Sequence, residues 1–98
     1  VLKIRRYVIT KNEIVEALEY MKGEKLKYYI YSYKISRGRK WITLARWDNI
    51  DGIEHMDIYD ENGNLMDTRE FAWRKFDDIV KIIKTFRKNI IVVDVNNL

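Results

Sequence analysis

The chain has 98 residues, 47% hydrophobic and 13% aromatic, enough to build one domain around one core without a disulfide or metal staple. It has no cysteine, which excludes disulfide frameworks, thiolate metal sites and thiol enzymes, and its longest apolar run, 90–93, is far too short to cross a bilayer. The net charge of +4 conceals a segregation, because residues 23–47 carry seven basic groups and one acidic group whereas residues 48–67 carry seven acidic groups and no basic one.

Residues 1–9 are rich in β-formers, with Leu2 and Ile4 on one face and Lys3 and Arg5 on the other, and predict a first strand. Thr10-Lys11-Asn12-Glu13 fits a capping box, so a short amphipathic helix is predicted next. Ile14, Val15, Leu18 and Met21 form its apolar stripe, Glu13, Glu16 and Glu19 lie away from it, and Gly23 stands at the left-handed C-cap. Residues 25–36 predict a long strand with two apolar faces, Leu26, Tyr28 and Ile30 on one and Tyr29, Tyr31, Tyr33 and Ile35 on the other.

Arg37-Gly38-Arg39 supplies a hairpin turn, after which 40–47 returns antiparallel. A turn over 48–52, a strand over 53–59, an Asn-Gly turn over 60–64 and a short strand over 65–68 complete a meander. Asp67 with Glu70 suggests a second capping box. Ala72, Phe76, Ile79, Val80, Ile83 and Phe86 then predict the main helix over 71–88. The apolar run 90–95 reads as a buried strand. The expected fold is a single α+β domain over 1–98: a mainly antiparallel sheet, with split β-α-β-like ends around a β-meander, and a long C-terminal helix packed on one face.

Absence of proline and glutamine with abundant Lys, Glu, Arg, Ile and Tyr leans toward a hyperthermophile. With no cysteine and no charged-then-apolar leader, a soluble, cytoplasmic protein that is neither exported nor bound to membranes is expected.

Three features carry possible chemistry. His55, the only histidine, shares a strand face with Asp57, and a histidine oriented by a carboxylate is the usual acid–base arrangement. Asp48 is the other carboxylate candidate for this role; a hydrogen-bonded structural histidine is the bland alternative. The acidic residues of 48–61 offer hard oxygen ligands, but neither turn has EF-hand spacing, so no metal and no cofactor is assigned, although two or three of these carboxylates meeting in space would suit phosphodiester chemistry. The basic block Lys25, Lys27, Lys34, Arg37, Arg39, Lys40 and Arg46 is interleaved with Tyr28, Trp41, Trp47 and, on one strand face, Tyr29, Tyr31 and Tyr33. Cations that track phosphates beside aromatics that stack on bases are the ingredients of a single-stranded nucleic-acid surface. If the helix covers the other face, these tyrosines form an exposed patch that RNA, DNA or a second copy of the chain would occupy.

Arg46-Trp47-Asp48-Asn49, following a tyrosine-rich strand and followed by His55, resembles a segment of the small TumE-like proteins of prokaryotic toxin–antitoxin modules. The resemblance covers roughly residues 41–63. It departs from the family pattern after Asn49, where Ile50-Asp51-Gly52-Ile53-Glu54 stands in place of a histidine cluster. The resemblance implies a small partner protein and an action on RNA, with Arg46, Asp48, Asn49 and His55 at the matched positions. Three functions follow: a self-associating binding module that contacts nucleic acid through the basic–aromatic hairpin; a toxin-like ribonuclease that uses His55; and a purely protein-interacting subunit.

Overall fold

The computed structural model describes residues 1–98, the side chain of Asn97 excepted. Six strands follow one another as β1 (Leu2–Thr10), β2 (Glu13–Lys22), β3 (Lys25–Arg37), β4 (Lys40–Asp48), β5 (His55–Tyr59) and β6 (Leu65–Glu70). Each is antiparallel to its predecessor, so the sheet is an up-and-down meander whose spatial order equals its chain order. Helix α1 (Phe76–Phe86) and a 3-10 segment (Arg87–Val92) then fold back over one face. The chain is thus an α+β fold, and no helix among the described residues is long and apolar enough to cross a membrane.

From residue 25 the strands follow in the predicted order, with β5 starting at His55 and not at 53 and β6 running to Glu70 and not to 68, while the two ends of the chain differ from expectation. Residues 13–22 form a strand and not a helix, so no α-element separates β1 from the meander and the split β-α-β arrangement is absent. The cause lies in the glutamates. Read with a period of two, Glu13, Val15, Ala17 and Glu19 fall on one face, and all four are buried. The capping box does not form: Thr10 Oγ1 accepts from the Asn12 amide at 3.2 Å and donates to Glu13 Oε2 at 3.0 Å, contacts that close the β1–β2 turn. Gly23, at φ 63°, sits in the β2–β3 turn and caps no helix.

Asp67 and Glu70 lie in β6, and α1 starts only at Phe76, without a side-chain cap. The segment 90–95 is not a strand either. Ile90 and Val93 are buried while Ile91 and Val92 are exposed, the period-three pattern of a 3-10 turn. Arg69 of β6 fixes it by donating to the carbonyls of Ile91 and Val93, both at 2.6 Å.

The helix rests on the face that carries Val15, Ala17, Tyr29, Tyr31, Tyr33, Trp47, Met56 and Ile58, each at most 3% exposed. Two buried glutamates on this face are matched by tyrosine and arginine donors, as buried carboxylates require. Tyr33 Oη donates to Glu13 Oε1 at 2.5 Å, and Arg87, just after α1, grips the same carboxylate through Nε at 2.6 Å and through its terminal nitrogen. Tyr31 Oη donates to Glu19 Oε2 at 2.7 Å, Arg5 pairs with the other oxygen, and Trp73 Nε1 donates to Tyr31 Oη at 3.2 Å. Both clusters tie the helical layer or its linker to the sheet.

Arg87 hydrogen bonding, opposed by burial and assisted by Tyr33 and Thr10, lowers the Glu13 pKa from 4.5 to about 2. A carboxylate with a folded-state pKa below its unfolded value contributes stability that is fully present above about 4.5 and is lost as pH falls toward 2. Glu13→Gln is therefore expected to be less stable than the parent at pH 7 by up to about 3 kcal/mol, with the gap shrinking by pH 2.5. Urea denaturation at both values checks this, and a gap independent of pH would contradict it.

Candidate functional site

Among the described residues, no helix lies over the opposite face of the sheet. Strand register arranges its side chains in cross-strand rows. One row runs Arg6, Glu16, Ser32, Arg46, Asp57 and Thr68 across all six strands. The next runs Ile4, Leu18, Ile30, Asp48, His55 and Glu70. The second row is therefore apolar over β1 to β3 and polar over β4 to β6, whereas the first is polar throughout. Arg46 and Asp48 on β4 stand directly opposite Asp57 and His55 on β5, and these four side chains form the site.

Their contacts interlock. His55 Nδ1 donates to the Ile53 carbonyl at 2.8 Å, which turns Nε2 toward Asp57 Oδ2 at 3.2 Å and Asp48 Oδ1 at 3.6 Å. Asp57 uses its other oxygen to accept from Thr68 Oγ1 at 2.8 Å. Asp48 accepts from Arg46 Nε at 2.7 Å on Oδ2 and from the Ile50 amide at 3.1 Å on Oδ1. The Asp48, His55 and Asp57 side chains are 4%, 12% and 17% exposed, so the centre is largely shielded from solvent. Partial burial opposes a charge on the imidazole, but the Ile53 carbonyl and the carboxylates of Asp48, Asp57 and Asp51 outweigh it and raise the His55 pKa above 6.5. Asp48, His55 and Asp57 each offer one ligand atom, and these atoms lie within 4.8 Å of one another.

The other residues singled out in the sequence are placed elsewhere. Tyr29, Tyr31 and Tyr33 are 3%, 0% and 0% exposed, so their rings belong to the core beneath the helix and have no face free for a base. Arg39 and Lys40 are exposed at the β3–β4 turn, whereas Arg37 is paired with Glu61. Arg46 lies at the site itself, held by Asp48. Asn49 does structural work: its side chain accepts from the Tyr29 amide at 3.0 Å and donates to the Lys27 carbonyl at 3.1 Å, pinning the β4–β5 loop to β3.

The exposed aromatics of the open face include Trp41 near the β3–β4 turn and the pair Tyr20 and Tyr28, with ring centroids 6.1 Å apart and Lys27 Nζ 5.4 Å from the Tyr28 centroid. Tyr20 escapes attention in the sequence because a helical reading of 13–22 gives it no partner; paired strands bring it opposite Tyr28. With Leu2, Leu18, Ile30 and Ile50 these rings line a shallow apolar depression of about 280 Å³.

Comparison of the chain with protein-family models, with curated proteins and with solved structures finds no match.

Asp48, with its side chain 4% exposed, holds Arg46, the Ile50 amide and His55, whereas His55, with its side chain 12% exposed, makes one short bond to the Ile53 carbonyl and meets its carboxylates at 3.2–3.6 Å. Asp48→Ala is expected to cost about 2–3 kcal/mol in urea denaturation, and His55→Gln less than about 1 kcal/mol. Equal losses would mark His55 as a structural member.

Proposed function

We propose that this protein cleaves single-stranded RNA at the Arg46, Asp48, His55 and Asp57 centre. The observation that carries the proposal is the convergence of His55 Nε2 with the two carboxylates on an uncovered sheet face. The protonated imidazole gives its proton to the departing 5′-oxygen as the P–O5′ bond breaks, and an adjacent carboxylate accepts the proton of the attacking 2′-hydroxyl as the P–O2′ bond forms. Asp57, oriented by Thr68, is suited to the second task. Arg46 is partly exposed and has further N–H donors for a phosphate oxygen.

The exposed pair Tyr20 and Tyr28 supplies the stacking surface. Standard strand spacings put Tyr28 roughly 12 Å from His55, a span that a short single strand covers. The cations Arg39 and Lys40 at the hairpin tip track the backbone beyond it, which keeps the basic hairpin in the account without the buried tyrosines. The weak likeness to TumE-like proteins at Arg46, Asp48 and His55 points the same way.

Labelled single-stranded RNA, resolved on a gel, tests the proposal. His55→Gln and Asp57→Asn are expected to lower cleavage at least about 100-fold. The double variant Tyr20→Ala, Tyr28→Ala is expected to raise KM with kcat little changed. Cleavage that survives His55→Gln contradicts the assignment.

A second function, a self-associating or partner-binding module, is favoured by one observation: Leu2, Ile4, Leu18, Tyr20 and Tyr28 are all exposed on the same apolar half of the sheet. An RNA-inert dimer that becomes monomeric on Leu18→Glu in sedimentation would select it.

A further inference from the structure

We propose that Asp48, His55 and Asp57 hold a first-row divalent cation of the Mn2+ or Zn2+ class. The use of the ion rests on the RNA-cleaving function proposed above; its binding rests on geometry. Cations with ligand bonds of about 2.0–2.2 Å place neighbouring donors about 3.0–3.6 Å apart. His55 Nε2 lies 3.2 Å from Asp57 Oδ2 and 3.6 Å from Asp48 Oδ1, and one ligand atom from each of the three residues falls within 4.8 Å of the other two.

A second set of contacts, made by groups outside the three, fixes each donor. The Ile53 carbonyl takes His55 Nδ1, the Thr68 hydroxyl takes Asp57 Oδ1, and Arg46 Nε takes Asp48 Oδ2. Outer partners of this kind, a carbonyl on the far nitrogen of the imidazole above all, are what orient ligands toward a metal. The Ile50 amide also donates to Asp48 Oδ1, which leaves that oxygen a further lone pair.

The surroundings separate this position from an ordinary acidic surface. The three side chains are between 4% and 17% exposed. By contrast, the acidic turn at Asp60 is solvent-facing and spends its carboxylate on the amides of Asn62 and Asn64. One imidazole with two carboxylates suits manganese or zinc better than calcium or magnesium, which favour oxygen ligands alone. Three protein ligands leave coordination positions free on the open side, where an ion would polarise a phosphate oxygen and carry the positive charge otherwise borne by the ring.

His55 is the only histidine in the chain, so its ring protons report on the site in the unaltered protein. Substoichiometric MnCl2 added during proton NMR is expected to broaden the His55 ring signals before any others. Asp57→Asn is expected to need about tenfold more Mn2+ or beyond, and Glu24→Gln, in the exposed β2–β3 turn, no more than the parent. His55 signals that persist at equimolar Mn2+, or that broaden only together with the residues 60–64, overturn the cation site. RNA cleavage in EDTA without such broadening removes the cation and leaves the cleaving function standing. Broadening at His55 without any RNA cleavage keeps the cation site and removes the function.

Discussion

The fold depends on two buried carboxylates. Glu13 and Glu19 point from β2 into the layer between sheet and helix, where an unmatched charge would cost several kcal/mol. Tyr33 and Arg87 satisfy the first, Tyr31 and Arg5 the second. Those partners decide which of the two apolar faces of β3 is covered. Hydroxyls of Tyr31 and Tyr33 reach the glutamates only from the helix side, so Tyr28 and Ile30 are left on the other. The open face, with its apolar half and its His55 centre, is a consequence of that choice.

Much of the chain was legible because period-two patterns and turn residues agreed from Lys25 to about Thr68, and because α1 repeats its apolar positions at helical spacing. Residues 13–22 misled because Ile14, Val15, Leu18 and Met21 fit a helical stripe, and charged residues are ordinarily assigned to solvent. A sequence gives no sign that Glu13 and Glu19 are buried until their tyrosine and arginine partners, up to 74 positions away, are known. The apolar run 90–95 failed for a related reason, since only the reach of Arg69 from β6 selects a 3-10 turn over a strand.

The site was legible in part. Alternation put His55 and Asp57 on one face, and β4–β5 pairing adds Asp48 and Arg46 directly across from them. Long-range register, which brings Tyr20 opposite Tyr28, was not accessible once residues 13–22 were read as helix. The structure also divides the Arg46-Trp47-Asp48-Asn49 stretch by task. Trp47 packs in the core against Phe71, Asn49 clamps β3, and Asp48 both braces the loop and faces His55. A stretch that looks like one motif is thus mostly scaffold, with its chemistry concentrated where β4 meets β5.

The central claim is that the uncovered face of the sheet is the working surface. It is tested most directly by titrating a 2′-O-methylated RNA oligomer, which cannot use its 2′-oxygen as a nucleophile, into isotope-labelled protein and following backbone amide shifts. Shifts concentrated on Tyr20, Tyr28, Ile30, Asp48, His55 and Asp57 are the expected result. Shifts confined to the helix α1 side, or none at concentrations where binding should saturate, would contradict it.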